Sequence, residues 1–338
     1  MNFPPCETFL HSDNKKKLNR KELYHIADQW FASKGWKPFK FQKDVRTAFL
    51  QGKHGLLNAP TGSGKTLALW IPVVLDHINS NPESWKEPQK TGLLALWITP
   101  LRSLSAEIKK AAKDFCDGIG APLEIDIRTG DTSTSARARQ KRNMPALLIT
   151  TPESLHLLLA QKGYHKAFEN LKAVIVDEWH ELIGSKRGVQ VELALSRLKT
   201  VSPGMRIWGI SATIGNLDEA TDVLFGTGRS GMKTALIRAN INKKIEVESI
   251  LPDEVERFPW AGHLGTKLLQ KVIPVIRNSK TTLIFTNTRS QTEIWFQKLH
   301  EVDPGLAGLV AMHHGSLDKK VREWVEEALR DERLKAVV

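Results

Sequence analysis

Short, uniformly apolar runs alternate along the chain with longer segments of helical periodicity. Each run is bounded by polar residues, proline or glycine, and the runs lie at 93–98, 146–149, 173–176, 207–210 and 283–285. Strands that are covered on both faces have this continuous apolar character. The helical segments lie between them, at 103–115, 152–161, 189–199 and 291–300. The alternation predicts an α/β fold with parallel sheets wrapped by helices.

A change of composition near residue 239 divides the chain into two predicted domains. The stretch 226–239 is rich in glycine and polar residues, and an irregular stretch with two prolines follows at 251–265. A second strand–helix series then begins, and it has barely started when the chain reaches Val338. The predicted parts are an N-terminal extension at 1–20 within a first domain at 1–239, and a second, incomplete domain at 240–338.

The composition is that of a globular protein with a basic surface. The 338 residues include 49 lysines and arginines against 37 aspartates and glutamates, which gives a net charge of +12. This excess favours a polyanionic partner, either nucleic acid or an anionic membrane surface. No stretch approaches the roughly 18 consecutive apolar residues of a spanning helix. Cys6 and Cys116 have no metal-ligand neighbours at short spacing. We therefore predict a monomer in the cytoplasm, with no membrane partner.

A glycine-rich loop between a predicted strand and a predicted helix is the first candidate chemical site. The strand end LLN at 56–58 leads into APTGSGKT at 59–66. In such a loop the backbone amides wrap phosphates, and the helix N-terminus adds its dipole. Lys65 is expected to reach the β- and γ-phosphates of ATP, and the Thr66 hydroxyl to ligate Mg²⁺. A flexible turn before a helix is the alternative. The predicted ATP-binding residues of the loop are Thr61, Gly62, Ser63, Gly64, Lys65 and Thr66.

Two adjacent carboxylates follow the apolar run at 173–176. A buried strand that delivers Asp177 and Glu178 is costly unless a cation receives them. Asp177 is predicted to hold Mg²⁺, directly or through water, and Glu178 to orient or deprotonate the water that attacks the γ-phosphate. The catalytic candidates are therefore Lys65, Asp177 and Glu178. The alternative is that the two acids cap the next helix.

A third candidate for ATP binding lies upstream of the loop. Phe39 can pack on a flat adenine ring, and Gln42 can present a donor and an acceptor to the edge of that ring. The alternative is that Phe39 is a core residue and Gln42 a surface polar residue.

These pieces, in this order, resemble the motifs of superfamily 2 helicases of the DExH-box type. TPLRSL at 99–104 is similar to motif Ia, TPESL at 151–155 to motif Ib, DEWH at 177–180 to motif II, SAT at 211–213 to motif III and TNTR at 286–289 to motif IV. RTGDT at 128–132 and DEWHEL at 177–182 resemble the Lhr, or large helicase-related, group. Trp179 and the segment 211–216 resemble its branch of bacterial ligase-associated DExH helicases. The resemblance covers about residues 20–338.

The resemblance implies roles for residues outside the ATP site. It implies two tandem RecA-like P-loop NTPase domains. Nucleic-acid phosphates would be held by charge, by hydroxyl groups or by adjacent backbone N–H groups, and such contacts carry no sequence information. The implied contacts are Thr99, Arg102, Ser103, Thr151, Thr288 and Arg289. The residues implied to couple the ATP and nucleic-acid sites by hydrogen bonds are His180, Ser211 and Thr213.

The activity implied by the resemblance is ATP-driven translocation on single-stranded DNA in the 3′→5′ direction. Duplexes or RNA–DNA hybrids would be unwound, in DNA repair, with ligase or nuclease partners. The motif V and motif VI patterns of the family are not found before Val338. Because an arginine finger contributes about 10³–10⁵ in rate, we expect this chain to bind ATP and DNA and to hydrolyse ATP slowly. The alternatives are a non-catalytic nucleic-acid clamp on the same scaffold and the motor part of a nuclease complex.

A basic run precedes the strand predicted at 146–149. Arg137, Arg139, Lys141 and Arg142 lie within six residues of one another. Two interpretations stay open: the run grips nucleic acid, or it is a solvated helix face.

Overall fold

The computed structural model of the protein describes residues 18–212, 215–226, 231–241, 245–252 and 265–338. The chain forms two units, Met1–Asn242 and Lys243–Val338, called the first and second units below. The division lies close to the boundary predicted at residue 239. Thr213, which was predicted to couple the two sites, lies outside the described residues, as does most of the predicted extension at 1–20.

Seven parallel strands form the sheet of the first unit, in the order β3-β4-β2-β5-β6-β1-β7. The strands are β1 (His54–Asn58), β2 (Ala95–Ile98), β3 (Ile125–Arg128), β4 (Leu147–Thr150), β5 (Ala173–Val176), β6 (Arg206–Ser211) and β7 (Thr234–Arg238). Every neighbouring pair is parallel. The carboxyl ends of all seven strands therefore lie along one edge, and every loop with a predicted motif of this unit leaves from that edge.

Helices cover both faces of this sheet. They are α1 (Arg20–Ser33), α2 (Lys40–Leu50), α3 (Lys65–Ser80), α4 (Arg102–Ile119), α5 (Thr134–Arg142), α6 (Pro152–Leu159), α7 (Tyr164–Phe168), α8 (Trp179–Leu182), α9 (Lys186–Val201) and α10 (Leu217–Phe225). Leu57, Trp97 and Trp208 pack with α1–α4 on one face. Leu56 and Val174 pack with α6–α10 on the other. Burial on both faces explains why these strands are apolar at consecutive positions.

Two strands of the first unit, β3 and β7, have no continuous apolar run and were not predicted from the sequence. β7 lies within the stretch 226–239, where the sequence shows a change of composition and no strand is predicted. It pairs only with β1 at the edge of the sheet, and four of its five residues are not buried, so it carries no continuous apolar run. β3 is the opposite edge strand, and Asp126 and Arg128 interrupt its apolar positions. An edge strand with polar residues has no continuous apolar run, so the hydrophobic pattern does not predict it.

The second unit has a three-stranded parallel sheet in the order β8-β10-β9. Its strands are β8 (Thr282–Leu283), β9 (Val310–Ala311) and β10 (Ala336–Val337), and its helices are α11 (Leu269–Asn278), α12 (Arg289–Val302) and α13 (Lys319–Arg330). The predicted strand at 283–285 is wrong in extent, because the strand ends at Leu283 and Phe285 is 89% exposed. The edge strand β8 is bonded to β10 alone. Within the described part of the chain, no helix is long and apolar enough to cross a membrane.

Candidate active site

The loop that joins β1 to α3 has the curved backbone of a phosphate-binding loop. Gly62 and Gly64 have φ angles of 75° and 81°, a region that favours glycine. A Cβ atom on Gly64 would lie 2.8 Å from Gln42 Nε2. Ser63 is buried, and its hydroxyl donates to the carbonyl of Pro60 at 2.7 Å. Gly64 is the N-cap of α3, which begins at Lys65, so the first amides of the helix face the loop.

Lys65 carries a buried ammonium group that makes no hydrogen bond with the described residues. Its nearest charged partner is Glu178, with 3.7 Å between Nζ and Oε1. An ammonium group taken from water without hydrogen bonds is costly. Phosphate oxygens in the loop would supply the missing acceptors. Of the other loop residues, Thr61 is exposed, and Thr66 is half-buried as the second residue of α3.

Asp177 is a buried carboxylate at the end of β5, and only 6% of it is exposed. Trp97 Nε1 donates to its Oδ2 atom at 3.2 Å, and the backbone N–H of Glu178 donates to its Oδ1 atom at 3.0 Å. Burial raises the pKa of Asp177 to about 6, against the smaller opposing effects of the Trp97 hydrogen bond and the Lys65 charge. A buried carboxylate with a raised pKa is stabilised in its ionised form by a cation beside it.

Glu178 has a left-handed backbone, with φ 46° and ψ 46°. This conformation is unfavourable for a residue with a side chain and is concentrated at functional sites. The side chain is 14% exposed and lies between two basic groups, Lys65 and His180, with 3.5 Å from Oε2 to His180 Nδ1. His180 Nδ1 makes no hydrogen bond with the described residues. The strained turn thus aims the carboxylate at the Lys65 ammonium group.

Ser211 ends β6, one strand away from both β1 and β5. It is fully buried, and its hydroxyl makes no hydrogen bond with the described residues. The hydrogen bond predicted between His180 and Ser211 is therefore not formed in this structure, and their coupling role stays a prediction. The carbonyl of Ser211 accepts from the N–H of Ala59 at 2.9 Å, which ties the end of β6 to the start of the loop.

Phe39 and Gln42 lie next to the loop, as an adenine site would require. Phe39 is 49% exposed and stacks on Phe41 with 5.8 Å between ring centres. Gln42 is buried; its Oε1 accepts from the N–H of Phe39 at 2.9 Å, and its Nε2 donates to the carbonyl of Gly64 at 3.2 Å. Gln42 thus joins the start of α2 to the phosphate loop. Contact with adenine stays a prediction for both residues.

The residues present fit a magnesium ion held together with phosphates. Mg²⁺ in such sites usually takes one or two carboxylates and completes its shell with phosphate oxygens and water. Asp177 is a single buried carboxylate with no neighbouring cation at salt-bridge distance among the described residues. Those residues contain no group of three or more histidine, cysteine or acidic side chains that would hold a metal by themselves. Asp177 and the Thr66 hydroxyl are the candidate ligands.

The nucleic-acid candidates of the first unit follow β2 and β4, which are neighbours in the sheet. Thr99 and Thr151 are buried, and Thr151 caps α6, where its hydroxyl accepts from the N–H of Ser154 at 3.4 Å. Ser103 is exposed on the first turn of α4. Arg102 is also exposed, and its Nη1 lies 3.1 Å from Asp131 Oδ1. Two candidates are thus accessible, and two use their hydroxyls within the fold.

The candidates of the second unit lie at the N-terminus of α12. Thr288 caps this helix by accepting from the N–H of Gln291 at 3.3 Å. Arg289 is exposed and hydrogen-bonds to the Ser316 hydroxyl. Both residues line a cavity of about 450 Å³.

Two residues that position the site were not predicted. Trp97 orients Asp177, and Asn58 Nδ2 donates to the carbonyl of Ala212 at 3.2 Å, which joins the end of β1 to the end of β6. A buried indole N–H needs an acceptor. A tryptophan within an apolar strand therefore indicates a nearby acceptor, and the acid that follows the neighbouring strand is the candidate for it.

A protein-family model described as DEAD/DEAH box helicase matches residues 39–220. The chain belongs to this family, whose members are ATP-hydrolysing enzymes. It is similar to the ATP-dependent helicase Lhr-Core protein 2 of Thermococcus barophilus, with 33% identity over 96% of this chain and 39% of that protein. It is also similar to the ATP-dependent helicase Lhr-Core of Methanocaldococcus jannaschii, with 34% identity over 94% of this chain and 38% of that protein.

A solved structure of the helicase Lhr of Mycobacterium smegmatis bound to ssDNA and AMP-PNP has the same fold. It superposes with a TM-score of 0.73 and 28% identity, over 93% of this chain and 41% of that one. The chain therefore spans about two fifths of the length of the relatives that it matches. The predicted α/β fold with tandem RecA-like domains is confirmed, and so is the resemblance to the Lhr group.

Proposed function

We propose that this chain is the ATP-hydrolysing motor of a helicase that moves along single-stranded nucleic acid. One observation carries the proposal. At one sheet edge, the segments that follow β1 and β5 bring together a buried ammonium group that hydrogen-bonds to none of the described residues, a buried carboxylate and a strained glutamate. A phosphate-binding loop with its own base beside it is suited to hydrolysis as well as to binding.

The residues divide the chemistry among them. Lys65 would bind the β- and γ-phosphates, and Glu178 would accept a proton from the attacking water as the new P–O bond forms and the bond to ADP breaks. A magnesium ion held by Asp177 and Thr66 would neutralise phosphate charge. His180, 3.5 Å from Glu178, would hold that carboxylate in position. Trp97 holds Asp177 by its hydrogen bond.

The finer activity rests on similarity to the Lhr proteins. We infer binding of single-stranded DNA or RNA–DNA hybrids, 3′→5′ movement and a role in DNA repair. The solved Lhr structure was obtained with ssDNA and AMP-PNP, which supports the choice of strand and nucleotide. The ligase-associated branch, the ligase or nuclease partners, the monomeric state and slow hydrolysis by these 338 residues stay predictions.

The substitution Glu178→Gln separates the motor from a non-catalytic clamp. In a motor it lowers ssDNA-stimulated ATP turnover by about 10²–10⁴-fold, because the general base is lost, while ATP binding is kept. Single-turnover hydrolysis with excess ssDNA, together with binding of a fluorescent ATP analogue, measures both. Glu87→Gln, an exposed residue outside the site, is the matched control.

Two results would overturn the motor. Unchanged turnover in Glu178→Gln would remove the assigned base. Because slow hydrolysis is expected of this chain, the clamp is favoured only if the parent binds ATP and ssDNA and its single-turnover hydrolysis does not exceed the uncatalysed rate.

A further inference from the structure

A cavity of about 380 Å³ in the first unit has six basic side chains among the eighteen residues that line it. It lies among the end of β3, the end of α5 and the connection from α6 to α7. One acidic side chain, Glu169, shares it. None of the basic side chains makes an ion pair or a side-chain hydrogen bond with another described residue. They are Lys90, Arg128, Lys141, Arg142, Lys162 and Lys166.

Arg128 is the unusual member of this group because it is buried. It is 7% exposed, whereas the lysines and Arg142 are at the surface. Arg128 shares a face of β3 with Asp126, two residues earlier. Asp126 is also buried, and it accepts from Gln140 Nε2 at 2.8 Å and Arg139 Nη2 at 2.6 Å. Of two charged side chains on one strand face, the fold therefore satisfies the acid, whereas the guanidinium group has no acceptor among the described residues and its nitrogen atoms are not fully buried.

A guanidinium group that is largely enclosed and has no protein acceptor depends on water or a ligand in the cavity for its hydrogen bonds, and it cannot lose its proton. Burial lowers the pKa of Arg128 from its ordinary value, and repulsion by Arg137 adds to the effect. Arginine nevertheless stays charged at neutral pH. No side chain of the described residues accepts from this group, so its donors are available to an anionic ligand in the cavity.

We propose that this cavity binds a phosphate group, with the Arg128 guanidinium group as its central donor. A planar guanidinium fork matches phosphate oxygens in two parallel hydrogen bonds. Lys141 and Lys166 add positive charge at the mouth. The volume of about 380 Å³ is in the range of ligand pockets. The phosphate comes either from a nucleic-acid strand or from a small phosphate compound.

Arg128 is the part of the lining that comes from the edge of the sheet with the nucleic-acid candidates. Its carbonyl accepts from the Thr150 hydroxyl at 2.7 Å, next to the candidate Thr151. The lining segments at 90–93, 143–144 and 169–170 directly precede β2, β4 and β5, so they lie toward the opposite edge of this parallel sheet. A strand phosphate would therefore reach the cavity only beside Arg128, and that source rests on the proposed function, whereas a small phosphate compound does not.

Pyrophosphate is the first probe, and it is titrated in a Lys65→Ala background so that the phosphate loop does not contribute. We expect pyrophosphate to raise the Tm of Lys65→Ala. Adding Arg128→Gln weakens pyrophosphate binding at least tenfold, and adding Arg20→Gln, at an exposed arginine on α1, leaves it unchanged. Without pyrophosphate, Arg128→Gln is expected to leave the Tm nearly unchanged, because the guanidinium group has no partner among the described residues to lose.

A second variant keeps the test valid if Arg128→Gln does not fold. Lys141→Gln combined with Lys166→Gln changes only exposed side chains. It is expected to weaken pyrophosphate binding several-fold with the Tm unchanged.

Single-stranded DNA is the second probe, used with Lys65 intact. Loss of affinity in Arg128→Gln, with the slope of log K against log salt concentration reduced by about one, assigns the cavity to strand phosphates. Loss of pyrophosphate binding alone assigns it to a small phosphate compound. If neither probe responds to either variant, the proposal is overturned. Pyrophosphate binding does not depend on ATP hydrolysis, so this arm stands even if the proposed function fails.

Discussion

Two groups of segments lie at the same edge of the first sheet, and they differ in whether their polar side chains have hydrogen-bond partners. At and after the ends of β1, β5 and β6, buried atoms of Lys65, His180 and Ser211 make no hydrogen bonds with the described residues. After β2 and β4, the hydroxyls of Thr99 and Thr151 accept hydrogen bonds from backbone N–H groups two and three residues further along the chain.

The difference follows from the kind of ligand each group would bind. A triphosphate has one size and charge distribution, so donors fixed in advance and left unsatisfied add affinity and rate. A nucleic-acid backbone is contacted without regard to sequence, and exposed side chains and backbone N–H groups are sufficient. The threonine hydroxyls then shape the turns that present those N–H groups.

Replacement of Lys65 tests the first group most strongly. We expect Lys65→Ala to lower ATP turnover by about 10²–10³-fold, because a fixed donor to the phosphates is lost, and to weaken ATP binding. The free energy of unfolding stays equal or rises, because a buried charge is removed. Equilibrium ATP binding and urea unfolding measure the two effects, with Lys110→Ala at an exposed site as control. Unchanged ATP affinity would contradict the assignment of the loop.

The raised pKa of Asp177 predicts how stability depends on pH. Its folded pKa of about 6 lies above the ordinary value of 3.8, so the folded chain binds more protons between these values. Stability therefore falls as the pH rises from 4 to 6, by roughly 3 kcal/mol. Asp177→Asn removes this loss, so its advantage over the parent in free energy of unfolding grows from pH 4 to pH 7. Urea unfolding at both pH values measures it. An advantage independent of pH would show that Asp177 is not protonated in this range.

Substitutions at Thr151 and Ser103 compare a hydroxyl that caps a helix with one that is exposed. Thr151→Val removes the cap of α6 and is expected to cost about 1 kcal/mol of stability. Ser103→Ala, at an exposed position, leaves stability unchanged and weakens ssDNA binding slightly. Thermal unfolding and fluorescence anisotropy measure the two effects. Equal stability of the two variants would contradict a structural role for the Thr151 hydroxyl.

The smallest effect is expected at Arg102. Its ion pair with Asp131 is exposed and contributes at most about 1 kcal/mol. Arg102→Gln therefore leaves the Tm nearly unchanged. If the side chain contacts a phosphate, ssDNA affinity falls uniformly across sequences, and the salt slope decreases by about one. Asp131→Asn frees Arg102 and is expected to strengthen binding. An unchanged salt slope in Arg102→Gln would remove this residue from the interface.

Local pattern was sufficient for the central strands and for the loop at 59–66. β5 was predicted at its observed bounds, because residues 173–176 are apolar on both faces. The edge strands β3 and β7 were missed, because a strand with one neighbour needs no continuous apolar run. Phe285 was placed in a strand, although it is exposed after the end of β8.

The order of residues along the chain by itself determined which chemistry is available: a phosphate loop, an acidic pair after a buried strand, and a basic surface. Only the tertiary structure decided which of these groups are left without partners. Hydrogen bonds such as those from Gln42 to Gly64 and from Trp97 to Asp177 join segments 22 and 80 residues apart. Whether a buried charge is satisfied, as Asp126 is, or left open, as Arg128 is, depends on atoms brought close by packing, which no local pattern encodes.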